Sequence, residues 1–551
     1  MTYTLVAVIA LISPLAFIIT AIASWFQPGM RPYLIRQLVT VSSATGIITS
    51  GICGYLVVQN GLLETPFIGF YELGFSLRLD ALSVLMFTMI ALIAFIVVRF
   101  SINYLDGDKR QGIFLGRLAA TIASVQFLVL AGNLGVLLLS WIVMSICLHR
   151  LLVFYKERPG AIIAARKKFI LARLGDACLL VAIVLLYLQF NTGNLEVIFQ
   201  AIQTSPSAFS IEAVAILLAS AALLKSAQFP THGWLIEVME TPTPVSALLH
   251  AGLLNAGPFL IVRMAFIMEA STYAPVVLII TGAFTALFAS VVFLTQTSIK
   301  TALAYSSVAH MGFSLLVCGL GVYSAAMLHL VAHSFYKAHA FLSSGSVIDV
   351  IRGAKVKAAR RIGSPIRIGL GILLGFLVYS AFAVVWGIDP VEELSLLAIG
   401  GIIIMGLSRL FTNAIDSDGS PKLILRATIM SLIVATSFFT LESGMHYILT
   451  DQMPALGSPG SLEIALLSII LLTFGTVVFI QILAPTLAPT PFYRALAIHL
   501  RNGLYVNTIF DRTVRALYSH ETGSHTEIVR SLEHIKQPER VELEIFEEQL
   551  A

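Results

Sequence analysis

The sequence predicts an all-α polytopic membrane protein, and three observations predict it. First, 58% of the 551 residues are hydrophobic and only 12% are charged, about half the roughly 25% charge of a soluble domain. The mean hydropathy is +0.91. Such a chain cannot cover a water-facing surface of its size, which excludes a soluble enzyme, a disordered protein and a nucleic-acid binder. Second, apolar runs of about 20 residues, long enough to cross a bilayer as a helix, recur along the chain. Third, the loops between these runs alternate in charge.

The runs lie at roughly 3–25, 34–59, 78–100, 117–132, 134–155, 169–190, 211–228, 243–268, 273–296, 300–320, 323–347, 366–388, 394–412, 423–441 and 462–485, about fifteen in all. The first has no basic residue before it and no cleavage site, so it reads as a retained helix, not a signal peptide. Lys and Arg stay on the cytoplasmic side. The odd-numbered loops hold Arg31, Lys109, Arg110, Lys156, Arg158, Arg166, Lys167, Lys168, Lys300, Arg352, Lys355, Lys357, Arg360, Arg361 and Lys422. The even loops instead carry Glu64, Glu72, Glu196, Asp389, Glu392, Glu393 and Asp451. This alternation places the N-terminus outside and the C-terminus in the cytoplasm. One loop, near 229–242, breaks the pattern: it should be cytoplasmic, yet it has Glu237 and Glu240 and no Lys or Arg.

From Pro491 the chain turns polar, which divides a transmembrane domain, 1–490, from a cytoplasmic end, 491–551. The stretch 493–518 has apolar residues at helical spacing and several arginines, as in a helix lying on the membrane surface. A mixed-charge tail, 520–551, follows. This end is either a solvated terminus or a docking surface. The basic runs at 166–168 and 355–361 have the same two readings. The net charge of +4 argues for no acidic partner, because the positive-inside loops account for it. Cys53, Cys147, Cys178 and Cys318 are scattered without a CxxC, so no iron–sulfur, zinc-finger or disulfide framework is expected.

Ionisable residues at bilayer depth cost at least ~2.5–3.5 kcal/mol each, and such residues usually face the bundle interior and mark a pathway. Arg173 and Asp176 are three apart in the sixth run, on one helix face, where they can pair. Lys225 lies deep in the seventh, followed by Ser226, Gln228 and Pro230; His250 lies in the eighth and His310 in the tenth. His329, His333 and Lys337 follow at four-residue steps in the eleventh, forming one polar stripe. Each could be a structural interhelical hydrogen bond, most readily the lone His310. As a set they suit proton transfer, because desolvation disfavours a charged lysine and histidine titrates near neutral pH. Two histidines at i, i+4 can also bind zinc, but no carboxylate or cysteine accompanies His329 and His333, and Lys337 would repel a cation. Pro230, Pro242 and Pro244 break helices, and broken helices within a bundle are typical of transporter ion sites. Asp389-Pro390 marks a possible second break.

At these residues the chain resembles the antiporter-like membrane subunits of respiratory complex I and of multi-subunit cation/proton antiporters. The resemblance rests on Leu224-Lys225-Ser226-Ala227-Gln228-Phe229-Pro230, Trp234-Leu235, and Pro242-Thr243-Pro244-Val245-Ser246-Ala247-Leu248-Leu249-His250-Ala251. Leu303-Ala304-Tyr305-Ser306-Ser307, His329-Leu330-Val331-Ala332-His333-Ser334-Phe335-Tyr336-Lys337-Ala338, Leu79-Asp80-Ala81-Leu82-Ser83 and Arg173-Leu174-Gly175-Asp176 extend it. It is best to complex I subunit L or 5, over about residues 70–350. It implies two inverted five-helix repeats, each with a broken helix. It makes Lys225 the central lysine of the first half-channel and His250 the link to the second. His329, His333 and Lys337 become the second half's relay, with Arg173 and Asp176 as partners of a fifth-helix glutamate. That glutamate is missing, because Trp141 is followed by Ile142. The twelfth-helix lysine is also missing, from Trp386-Gly387-Ile388-Asp389-Pro390. The long lateral helix and final span of that subunit are not expected either.

A narrower branch resembles the chain more closely: DabB, the membrane subunits of a bacterial inorganic-carbon accumulation complex. The stretches Leu148-His149-Arg150-Leu151-Leu152-Val153-Phe154-Tyr155-Lys156-Glu157-Arg158-Pro159-Gly160, Ala164-Ala165-Arg166-Lys167-Lys168-Phe169 and His250-Ala251-Gly252-Leu253-Leu254-Asn255-Ala256-Gly257-Pro258 carry it. The resemblance implies a non-enzymatic transport subunit of a bacterial inner membrane that conducts protons or sodium ions. Its partner on the cytoplasmic face would be a DabA-like soluble zinc protein similar to carbonic anhydrase. The zinc belongs to that partner, and no cofactor or metal is expected on this chain. The rival implications are a complex I pump and a multi-subunit sodium/proton antiporter subunit.

Overall fold

The computed structural model describes residues 6–204, 209–345, 364–415, 421–457, 459–487 and 490–518. The tail at 520–551 and the basic loop carrying Arg352, Lys355, Lys357, Arg360 and Arg361 lie outside the described residues. The chain divides into two compact units, Met1–Leu504 and Tyr505–Ala551.

The first unit is a helix bundle. After a 3-10 turn at Ala7–Leu11 come α1 (Ile12–Ala23), α2 (Tyr33–Asn60), α3 (Ala81–Tyr104), α4 (Gln111–Val129), α5 (Leu134–Leu152) and α6 (Pro159–Phe190). Next are α7 (Leu195–Thr204), α8 (Phe209–Lys225), α9 (Gly233–Glu237), α10 (Thr243–Leu248), α11 (Ala256–Arg263) and α12 (Ala265–Glu269). Long helices return with α13 (Tyr273–Phe293), α14 (Ile299–Gly319), α15 (Tyr323–Leu342), α16 (Pro365–Trp386), α17 (Leu394–Ile415), α18 (Pro421–Leu449) and α19 (Ser461–Leu487), before the short α20 (Pro491–Arg501). The second unit contains the amphipathic α21 (Val506–Tyr518). Within the first unit α20 is tied to the end of α13: Arg501 O accepts from Gln296 Nε2 at 3.1 Å, and Arg501 Nη2 donates to Thr297 Oγ1 at 3.1 Å.

Among the described residues, eleven helices are long and apolar enough to cross a membrane, and Ala7–Ala23 and Leu394–Met405 are shorter apolar helices. Helices occupy every position where the sequence predicts an apolar run. The helix at Tyr323–Leu342 is less apolar because it carries the His and Lys stripe. Two short hairpins in the loop before α3 are additions to the all-helical expectation: β1 (Leu63–Glu64) pairs with β4 (Arg78–Leu79), and β2 (Ile68–Phe70) with β3 (Leu73–Phe75), both antiparallel.

Three departures from the expected boundaries position the site. The run at 211–228 stops at Lys225, and Ala227 takes φ +51°, a left-handed conformation rare for a residue with a Cβ. The run at 243–268 is interrupted by a π-helical turn at Leu249–Leu253, which carries His250; such bulges are frequent at functional sites. Gly257 lets the resumed helix α11 press onto the end of α8, since a Cβ there would stand 2.0 Å from Ser226 Oγ and 2.6 Å from Ala222 O.

The third departure is a correction. Arg166, Lys167 and Lys168 are not loop residues available for docking. With Pro159 in its first turn, where proline's missing N–H costs nothing, α6 begins at Pro159 and takes the basic run inside the helix. Lys167 is fully buried against Glu237 at 2.6 Å, and Lys168 is buried as well. This also explains the acidic loop at 229–242. Glu237 pairs with Lys167, while Glu240 accepts from Ala161 N at 3.2 Å and, through its backbone carbonyl, from Arg158. The acids of that loop are internal partners of the basic start of α6.

Candidate functional site: a buried lysine and histidine pathway

The first cluster forms where α8 ends. Lys225 Nζ lies 4.3 Å above the Trp141 ring of α5 and donates to Trp141 O at 3.4 Å. Trp141 is fully buried, and a desolvated cation–π contact is worth about 2 kcal/mol. Lys225 also lines a cavity of about 20 Å³ with Ser145, Lys168, Trp234 and Leu254, which is room for a water molecule. On α6, Arg173 Nη2 meets Asp176 Oδ2 at 2.6 Å, as their spacing predicts. Asp176 lies within electrostatic reach of Lys225.

Lys168 completes this cluster and was missed in the sequence. Its ammonium donates to Ser145 O at 2.6 Å and Ser145 Oγ at 2.9 Å. It lies within electrostatic reach of both Lys225 and Asp176. α5 carries no glutamate, and its polar face at Ser145 is met instead by this buried lysine of α6. Lys168 looked like part of a basic loop; the signal that could have found it is its position eight residues, about two turns, before Asp176 on a continuing helix.

The second cluster sits on α14 and α15. His310 Nδ1 and His329 Nε2 are 3.3 Å apart. The His310 ring is 4.7 Å from that of His333, and the His329 and His333 rings are 5.8 Å apart. His310, which read as a lone histidine, is therefore central to the stripe. Lys337, fully buried, donates to Leu303 O at 3.1 Å. Among the described residues no group of three His, Cys, Asp or Glu side chains is arranged to hold a metal ion.

His250 lies on the segment between the clusters. It is fully buried and stacked on Phe341 at 4.3 Å, within electrostatic reach of Lys337 and His333. Neither ring nitrogen of His250 or His333 meets a protein partner among the described residues. Buried polar atoms are nearly always hydrogen-bonded, so water is the partner left for them. Asn255 braces the segment, donating to Ser334 Oγ at 2.6 Å and Ala251 O at 3.1 Å. His232, also buried with both nitrogens unpartnered, stands among Phe229, Phe288 and Tyr305. It was missed although it lies within the proline-flanked break.

Asp389 and Glu392 are exposed in the turn between α16 and α17, where Asp389 accepts from Val391 N at 2.7 Å. Glu442 on α18 is a buried carboxylate, 5% exposed, which accepts from Ser324 Oγ at 2.6 Å. The expected end of that run at 441 had left it out.

A third cluster anchors the break. Asp80 caps α3 through Ser83 N at 2.7 Å and pairs with Arg78 at 2.7 Å and Arg263 at 2.5 Å. Burial alone would raise the Asp80 carboxyl, but the Arg263 and Arg78 guanidiniums outweigh it and hold the group well below the usual carboxylate range. Arg263 ends α11, so this node fixes the broken helix to the start of α3.

A multi-pass helix bundle, a broken helix and buried lysines and histidines define the antiporter-like class of membrane subunit. The comparisons agree. Residues 131–364 match the family profile described as NADH:quinone oxidoreductase/Mrp antiporter, and 66–115 match the complex I chain 5 N-terminus. Two solved structures share the fold: the Mrp complex of Dietzia (TM-score 0.55, 21% identity, 97% of this chain and 60% of that one) and an archaeal membrane-bound sulfane sulfur reductase (0.56, 17%, 93% and 100%).

The sequence relatives are more specific. A probable inorganic carbon transporter subunit DabB2 of Halothiobacillus neapolitanus is 35% identical over 499 residues, 90% of each chain. A DabB of Hydrogenovibrio crunogenus is 44% identical over 270 residues, 49% of this chain and 52% of that one. Subunit L of a Mycobacterium tuberculosis NADH-quinone oxidoreductase is 35% identical over 286 residues, 51% and 45%. The chain belongs to the DabB family of inorganic-carbon transporter subunits.

Proposed function

We propose that this chain conducts a cation, a proton by preference, down its gradient, and that the flow drives one-way hydration of carbon dioxide by a DabA-like soluble zinc protein on the cytoplasmic face of a bacterial inner membrane. Bicarbonate then accumulates inside. Catalysis and zinc belong to the partner; this chain supplies the ion path. The observation that carries the reading is the succession of buried titratable groups on either side of a helix break. Lys168 and Lys225 share one water-sized cavity, and His310, His329 and His333 are in mutual contact.

Each residue then has a role. Lys225 is the central site, a proton carrier held over Trp141. Arg173 and Asp176 set the local field that decides when Lys225 is charged. Lys168, close to Lys225, makes two protonated lysines in one cleft unfavourable, so a proton arriving at one favours departure from the other. His250 hands over between halves, and His333, His329 and His310 carry the proton beside Lys337. Loop charge gives the orientation, with the N-terminus periplasmic and the C-terminus cytoplasmic.

The test is growth in air and oxygen uptake in a strain whose copy carries Lys225→Ala. Loss of growth at ambient carbon dioxide with intact respiration is expected. Lost NADH oxidation with normal carbon uptake would instead identify a complex I subunit, and loss of sodium tolerance alone an antiporter subunit.

A further inference from the structure

We propose that the groove between α1, α4 and α5 is a seat for one anionic phospholipid of the cytoplasmic leaflet. The groove encloses about 770 Å³ and lies outside the ion path. Its floor is built from small residues of α4, Gly116, Ala120 and Ala123, and its walls from aliphatic and aromatic side chains such as Ile22, Leu139 and Val143. α5 therefore has two faces: Trp141 and Ser145 meet the lysines, while Leu139 and Val143 turn to the groove.

The polar end identifies the occupant. Arg117 and Arg150 line the groove beside Trp25. Arg117 Nη1 donates to Arg150 O at 2.7 Å and stands 5.7 Å over the Phe154 ring, and Arg150 is exposed. Among the described residues neither makes an ion pair; of the carboxylates near this edge, Glu157 is 3.8 Å from Arg110, and Asp108 accepts from the Tyr155 hydroxyl at 2.6 Å and from Arg110 N at 2.7 Å. Two guanidiniums at the end of an apolar slot complement a phosphate above an acyl chain. By loop charge these arginines lie at the cytoplasmic surface, where anionic lipids attract Lys and Arg. The dimensions agree. From Arg150 back to Val136, another lining residue, α5 rises roughly 21 Å at 1.5 Å per residue, against about 20–22 Å for one leaflet including its headgroup region.

The test uses the full chain purified in mild detergent from membranes supplied with phosphatidylglycerol and phosphatidylcholine, with bound lipid read by native mass spectrometry. One phosphatidylglycerol per chain is expected, with phosphatidylcholine washed away. The Arg117→Gln/Arg150→Gln double variant should retain about tenfold less or lower. Equal retention of both lipids, or retention unchanged in the double variant, would overturn the proposal. A photo-reactive residue at the exposed Leu139, with the arginines intact, covers the case in which that variant does not fold. Cross-linking in intact membranes to phospholipid supports the seat; cross-linking to a polypeptide shows the groove to be a subunit interface and rejects it.

Discussion

Replacing Lys168 by methionine separates a transport role from a structural one. Lys168 is 4% exposed, and removing an ammonium from water costs several kcal/mol even after relaxation. Its two bonds to Ser145, at 2.6 and 2.9 Å, return about 1.5–3 kcal/mol each, as bonds to charged groups do. The two sides nearly cancel. Methionine fills similar volume without the desolvation cost. Ser145 O keeps its place in the α5 ladder, and Ser145 Oγ can turn to a carbonyl one turn back. Lys168→Met should therefore shift stability by no more than about 1–2 kcal/mol in either direction, a few degrees or less in detergent thermal unfolding. Ion flux in proteoliposomes should fall tenfold or more. Destabilisation above about 3 kcal/mol would mark Lys168 as a structural strut, and normal flux in a stable variant would remove it from the pathway.

Further outcomes follow from the same structure. Asp80→Asn leaves Arg263 buried with its principal charge partner gone and should cost about 3–5 kcal/mol; the double change with Arg263→Met should cost less than the sum, measured by a double-mutant cycle. Because the folded-state Asp80 carboxyl is depressed, its contribution is present above the unfolded value of about 3.9 and is lost as pH falls through the lower folded value, so the Asp80→Asn penalty should shrink in acid. Glu237→Gln removes the carboxylate charge that pairs with the fully buried Lys167 at 2.6 Å and should loosen α9, seen as faster hydrogen exchange at Gly233–Glu237. Burial and the hydrogen bond to Asp108 push the Tyr155 hydroxyl up to about 12, so the link it makes is stable below pH 10 and is lost only as pH rises through about 12; a difference ultraviolet titration against Tyr155→Phe should show the missing group titrating late.

Much of this was legible in the sequence because hydropathy acts over whole helices. Twenty apolar residues announce a span regardless of what they touch, and loop charge orders the spans. Lys225, His250, His329, His333 and Lys337 stood out because a charge or imidazole in such a run needs a reason. Lys168 did not, since a basic run beside a span satisfies the positive-inside pattern equally well in a loop or on the first turns of a helix; its buried partner is Ser145, on the preceding helix and distant in sequence. His310 needed α14 and α15 to be placed side by side before it became part of a group. Glu442 fell just past an estimated helix end. The π turn at His250 has no periodicity signal, because five residues are too few to shift a helical pattern.

The most direct test of the central claim is ion flux through the complex, purified with its partner and reconstituted in proteoliposomes with an imposed pH gradient and a trapped pH dye. The account predicts uncoupler-sensitive inward proton movement that disappears in Lys225→Ala and in Lys337→Ala while the assembled complex remains intact. Flux that is unchanged in Lys225→Ala would contradict it.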